Sequence, residues 1–221
     1  MRLVRKVNTT KSKVRVLIGG TFDPVHYGHL RTALEVRNQL GIDTLGFLPA
    51  GEPPHRDATV SSATHRLAML KLAIAQVNGF TIDERELQRE GPSYMVDTLR
   101  ALRAENSDTS LVLVVGQDSA NSLQSWHQWQ EIFTLANLVF MNRPGDQENY
   151  PPDLDKMLSG RWVIKGRELL SRPAGSVMRI GVTGLSISSS GIRKMLQTGV
   201  SPQFLLPEPV LAYIREQGLY S

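Results

Sequence analysis

A chain of 221 residues that is 41% hydrophobic and 21% charged is long enough for one domain with a sizeable core, and its composition is that of an ordinary globular protein. It has no cysteine, which excludes disulfides, thiolate zinc sites and a thiol nucleophile, and a reducing cytoplasm is its simplest setting. The formal net charge of +4 is concentrated in residues 1–13, where Arg2, Arg5, Lys6, Lys11 and Lys13 stand without an acid, so the rest of the chain offers no basic face to nucleic acid, and no apolar run reaches the roughly 20 residues that span a bilayer.

In chain order, residues 1–13 read as a basic, disordered leader and 14–221 as a single domain. "VRVLIGG" (14–20) is short, β-branched and apolar and ends in glycine, which predicts a buried strand. "HLRTALEVRNQLG" predicts an amphipathic helix closed by Gly41. "DTLGFLP" (43–49) predicts a second strand, "AGEPPHRDATV" a proline-bearing loop, and "SSATHRLAMLKLAIAQV" a helix with a serine cap. A short strand in "FTIDERELQREGP" precedes a helix over "SYMVDTLRALRAE". "SLVLVVGQD" (110–118) carries the strongest buried-strand signal. A short helix is expected through "WHQWQEIF", a strand in "ANLVFMNRPG" and another over 176–182. Residues 144–175 show no readable period. "SISSSGIRKMLQTG" and "PEPVLAYIREQG" predict two closing helices, the latter with proline in its first turn. Strands alternating with helices give an α/β class, a Rossmann-like doubly wound parallel sheet of five to six strands with helices on both faces.

"GGTFDPVHYGHL" (19–30) lies where such a sheet binds ligands, beyond the carboxyl end of a strand. Gly19 and Gly20 are expected to turn the backbone and admit a ligand, and Asp23-Pro24 to fix the loop. His26 and His29, three apart at a helix start, project from one face beside amides that favour anions, and Gly28 leaves room for the anion. Imidazoles donate to phosphate oxygens, and protonated ones add charge. Dinucleotide G-x-G-x-x-G, Walker and H-E-x-x-H patterns are all absent.

"SISSSGIRK" (186–194) offers a second phosphate site, with Ser188 as cap, Ser190 in the first turn and Arg193 three residues on. Two such helix starts facing one crevice point to transfer at phosphorus with no side-chain nucleophile. In "GQDSANSLQSWHQW", Gly116 allows close nucleotide approach and Asp118 suits ribose hydroxyls.

"GGTFDPVHYGH" resembles the His-x-Gly-His signature of the nucleotidylyltransferase superfamily, close to its bacterial nicotinate-mononucleotide adenylyltransferases, and the resemblance runs from about residue 14 to the C-terminus. It implies catalytic roles for His26, His29 and Arg193, and contacts to ATP from Gly19, Gly20, Thr21, Phe22, Gly28, Ser188, Ser190, Gly116 and Asp118. Serine stands at 190 where threonine is common in the family. On the acceptor side it implies a pyridine ring stacked on Trp126, with His127, Tyr94 and Met95 nearby; Met95 replaces the family's threonine. His55 and Arg56 in "PPHR" also match, and Arg143 is a further candidate.

The implied reaction joins the adenylyl group of ATP to nicotinate mononucleotide, giving the deamido dinucleotide and pyrophosphate. Mg2+ accompanies ATP, and no metal is bound by the protein itself. Nicotinamide mononucleotide or another phosphorylated acceptor is the alternative, as in phosphopantetheine adenylyltransferases and cytidylyltransferases. A non-catalytic nucleotide sensor and an RNA-binding domain are the rival classes. Neither nucleic acid nor membrane is expected as a partner, and a homo-oligomer is left open.

Overall fold

The computed structural model describes residues 14–51 and 59–221; the basic leader and the "PPHR" segment with His55 and Arg56 lie outside the described residues. Six strands follow in chain order: Val14–Gly20 (β1), Leu45–Pro49 (β2), Phe80–Ile82 (β3), Ser110–Gly116 (β4), Asn137–Asn142 (β5) and Val177–Gly181 (β6). All pair in parallel, in the order β3-β2-β1-β4-β5-β6. The chain goes out one way from β1 and returns to add β4 on its other side, so the switch lies between β1 and β4, with Ile18 beside Val114. That switch opens a crevice at the carboxyl ends of the two strands.

The helices are Tyr27–Leu40 (α1), Ala63–Ile74 (α2), Met95–Glu105 (α3), Gln117–Asn121 (α4), Trp129–Leu135 (α5), Pro152–Leu158 (α6), Gly166–Leu170 (α7), Ser189–Gln197 (α8) and Glu208–Glu216 (α9). Alternation along the strands sorts the core into two layers. Val16, Ile18, Val112, Val114 and Val139 face α1, α2 and α9, where Val36, Met69 and Leu211 meet them. Leu17, Leu111, Leu113, Val115 and Phe140 face α3, α5 and α6, where Leu99, Phe133 and Leu158 meet them.

Three local expectations change. The first helix begins at Tyr27, because His26 in extended conformation takes the cap position. The helix expected through 126–133 begins at Trp129, because Gln128 takes a left-handed φ of 50° and breaks the path, leaving Trp126 and His127 on a loop. Residues 144–175 hold α6 and α7, of seven and five residues, too short for a helical period to show.

Candidate active site

β1 runs straight through Gly19 and Gly20, and the turn comes two residues later at Phe22, whose φ is 52°. Neither glycine makes the bend, and only Gly20 is required by packing. A Cβ on Gly20 would lie 2.8 Å from the Phe22 ring, while one on Gly19 would only touch Met95 at 3.7 Å. Phe22 is buried and stands edge-on to His29, at 5.1 Å between ring centroids, so it supports that histidine from below.

His26 and His29 stack at 3.8 Å between centroids and 26° between planes. The His26 backbone N–H donates to His29 Nδ1 at 3.3 Å. An accepting Nδ1 puts the proton of a neutral His29 ring on Nε2. His26 is 4% exposed, and its ring turns back over the first turn of α1 in a reciprocal capping arrangement with His29, with no close hydrogen bond to its Nδ1 among the described residues. A Cβ on Gly28 would lie 2.9 Å from the His26 ring, so the space that residue leaves is occupied by the imidazole itself.

Burial, aided by the charge of Arg143, pulls the His26 imidazole down to about 4, so at neutral pH the ring carries no charge. This has a consequence for stability. Between pH 6.5 and 4 the unfolded chain binds a proton at this histidine and the folded chain does not, so stability falls as pH drops through that window. The loss should be on the order of 3 kcal/mol by pH 4. Urea denaturation at pH 7 and pH 5 should show a slope that shrinks in His26→Asn; an unchanged slope would contradict the assignment.

The second helix start is tied to the first. Ser188 caps α8 by accepting the Gly191 N–H at 3.1 Å, and its Oγ lies 3.3 Å from that of Ser190. Ser189 Oγ donates to the Pro24 carbonyl at 2.9 Å, and Arg193 Nη1 to the Asp23 carbonyl at 2.6 Å. A Cβ on Gly28 would also lie 3.5 Å from the Ile187 carbonyl. Both N-termini thus meet at the loop 23–28, a concentration of donors suited to an anion.

Beside this loop is a cavity of about 320 Å³. Gly19, Thr21, Gly116, Tyr94, Met95, Trp126 and His127 contribute to its wall. The Tyr94 and His127 rings lie 4.5 Å apart, and Trp126 is half-buried. Met95 is the first residue of α3, so that helix start faces the cavity too. Two expected residues stand elsewhere. Asp118 is exposed on α4, away from the cavity wall. Arg143, expected with the acceptor group, lines a separate open groove with Glu35, Gln39, Thr183 and Gly184, on the side of His26.

The structure adds a network that no local motif announces. The Asp23 carboxylate is 3% exposed and accepts from Ser61 Oγ, from the Tyr220 hydroxyl, and from the Val60 N–H at 2.8 Å and the Ser61 N–H at 3.4 Å. Arg66, 1% exposed, donates to the carbonyls of Thr21 at 3.0 Å, Ala50 at 2.7 Å and Gly51 at 3.2 Å. It was detectable: Arg66, Met69, Leu70 and Ala73 share one helical face, which marks an arginine pointing into a core. Glu86 is buried at the cavity wall, where Thr98 Oγ1 donates to it at 2.8 Å and burial raises its carboxyl pKa.

Residues 17–195 match the cytidylyltransferase-like family. A protein of Methylococcus capsulatus named "Probable nicotinate-nucleotide adenylyltransferase" is 46% identical over 206 residues, covering 93% of this chain and 98% of that one. One of the same name from Acidithiobacillus ferrooxidans is also 46% identical, covering 93% and 94%. The nicotinic acid mononucleotide adenylyltransferase of Plasmodium falciparum, solved in complex with NaAD, shares the fold at a TM-score of 0.72 and 17% identity, covering 94% of this chain and 97% of its own. By the match over residues 17–195 and the 46% identity to relatives along nearly their whole length, the chain belongs to the cytidylyltransferase-like family, among the nicotinate-nucleotide adenylyltransferases.

Proposed function

We propose that the protein transfers the adenylyl group of ATP to nicotinate mononucleotide, giving nicotinate adenine dinucleotide and pyrophosphate. The observation that carries this reading is the junction of the two helix starts, bridged by Arg193 and Ser189, next to a cavity walled by Trp126 and Tyr94. A phosphate oxygen of the mononucleotide attacks the α-phosphorus of ATP. The new P–O bond forms as the bond to the β-phosphate breaks, and pyrophosphate leaves with the electron pair.

His29 Nε2–H, the neutral His26 ring and the Arg193 guanidinium donate to the triphosphate, and Ser188 and Ser190 add hydroxyls at the start of α8. Their contribution is positioning and charge stabilisation. Mg2+ enters with ATP as part of the substrate, held by phosphate oxygens and water. Asp23, the carboxylate nearest the histidines in sequence, already accepts four hydrogen bonds and is not offered to a metal. In the cavity, the pyridine ring lies on Trp126, and the first amides of α3 meet its carboxylate. Read this way, Met95 costs little, because the recognition is by backbone. We place the reaction in the cytoplasm, the simplest setting for a chain without cysteine.

The test is pyrophosphate release from MgATP with either nicotinate or nicotinamide mononucleotide. Faster turnover of the acid is expected. Absence of turnover with both overturns the reaction, and preference for the amide overturns the acceptor. Trp126→Ala should raise KM for the acceptor by about tenfold, the size of one stacking contact, and leave KM for ATP alone.

A further inference from the structure

Tyr220 follows α9 and belongs to none of the motifs. It is nonetheless 7% exposed and held at a φ of 64°, a conformation that aromatic side chains rarely adopt. Strain of this kind persists where surrounding contacts fix it. Here the contacts are specific. The hydroxyl donates to Asp23 Oδ1 and lies 3.0 Å from Ser61 Oγ, which donates to the same carboxylate oxygen. Burial and the neighbouring carboxylate keep the phenol protonated, so it remains a donor.

Asp23 is the junction of three segments. Its carboxylate holds the amides of Val60 and Ser61, where the chain enters α2. Its carbonyl receives Arg193 from α8. Its backbone continues through Pro24 and Val25 into His26. Fixing the Asp23 side chain therefore fixes the acceptor atom that orients Arg193 and the entry to the histidine pair. None of the residues that make this junction contributes to the cavity wall beside Trp126.

We propose that Tyr220 is a positioning residue for adenylyl transfer, acting through Asp23 to align Arg193 and the histidine loop on the triphosphate. The proposal rests on the reaction given above and adds a strut from a segment 197 positions away in sequence.

The experiment uses the full chain with Tyr220→Phe, which keeps the ring and removes the hydroxyl. KM for ATP should rise and kcat/KM for ATP fall about tenfold, the size of one hydrogen bond to a charged group. KM for nicotinate mononucleotide should stay at the wild-type value. A fall in kcat with both KM values unchanged would mean fewer folded molecules and would overturn the proposal, as would a kcat/KM for ATP within twofold of wild type. Ser61→Ala removes the companion donor and should act in the same direction, less than additively with Tyr220→Phe. If the wild-type chain shows no transfer, the reaction assigned above fails. The strut is then read from direct MgATP titration, where Tyr220→Phe should weaken Kd about tenfold and equal affinity overturns it.

Discussion

Replacing His29 with alanine should lower kcat by about a hundredfold to a thousandfold while the fold survives. In the proposed reaction the half-exposed ring offers its Nε2–H to the reacting phosphates, and in a site preorganised to stabilise developing charge one such donor has an effect of that size. The structural losses are smaller. The His26 amide loses its acceptor at 3.3 Å and Phe22 loses an edge contact. Alanine in turn favours the first turn of α1, so the stability cost should be about 1 kcal/mol. Pyrophosphate release measured beside a thermal melt separates the two effects. Turnover within a few-fold of wild type would remove His29 from the machinery.

Arg193 should be nearly as sensitive, and lysine should not replace it. A guanidinium has five donors in a fixed fork. One of them already reaches the Asp23 carbonyl at 2.6 Å, which sets the plane of the group. An ammonium reaches either that carbonyl or a phosphate, but does not hold both in one geometry. Arg193→Ala should therefore lose about a hundredfold in kcat, with Arg193→Lys recovering less than a tenth of wild-type activity. Full rescue by lysine would show that only the charge matters. Full activity in the alanine variant would show that the arginine serves only to join α8 to the loop.

The fold was readable where burial is two-sided. β4 and β5 are apolar runs because helices cover both faces, and no other reading of "SLVLVVG" competes. α6 and α7 were not readable, since their registers rest on a few buried leucines, Leu154, Leu158 and Leu169, within segments of seven and five residues. In the site, the histidines and the serine cap announced themselves because adjacent positions carry the chemistry. Their detailed reasons did not. The need for glycine at 28 comes from the His26 ring, and at 20 from the Phe22 ring, neither of which spacing reveals. Asp23 stands inside the glycine–histidine motif, but Ser61 and Tyr220 are ordinary in their own neighbourhoods, and only the folded chain brings them to its carboxylate. Where Arg143 would stand was not legible either: its loop follows β5, and only the folded chain shows its side chain lining a groove apart from the cavity of Trp126, with its charge acting on His26.

The strand order also bears on how the crevice comes into being. β1 lies at the middle of the sheet, and its neighbour on one side begins only at Ser110, paired with Val14. The loop carrying His26 is finished by a carbonyl contact from Arg193, 170 positions further on. Long closures of this kind carry an entropic penalty before any contact repays it, and they slow the search for the native arrangement. Nucleotide binding is in this sense a report on the whole chain. A ligand spanning the histidine loop and α8 joins segments from opposite ends of the sequence, and its affinity adds to the free energy that holds the entire sheet together.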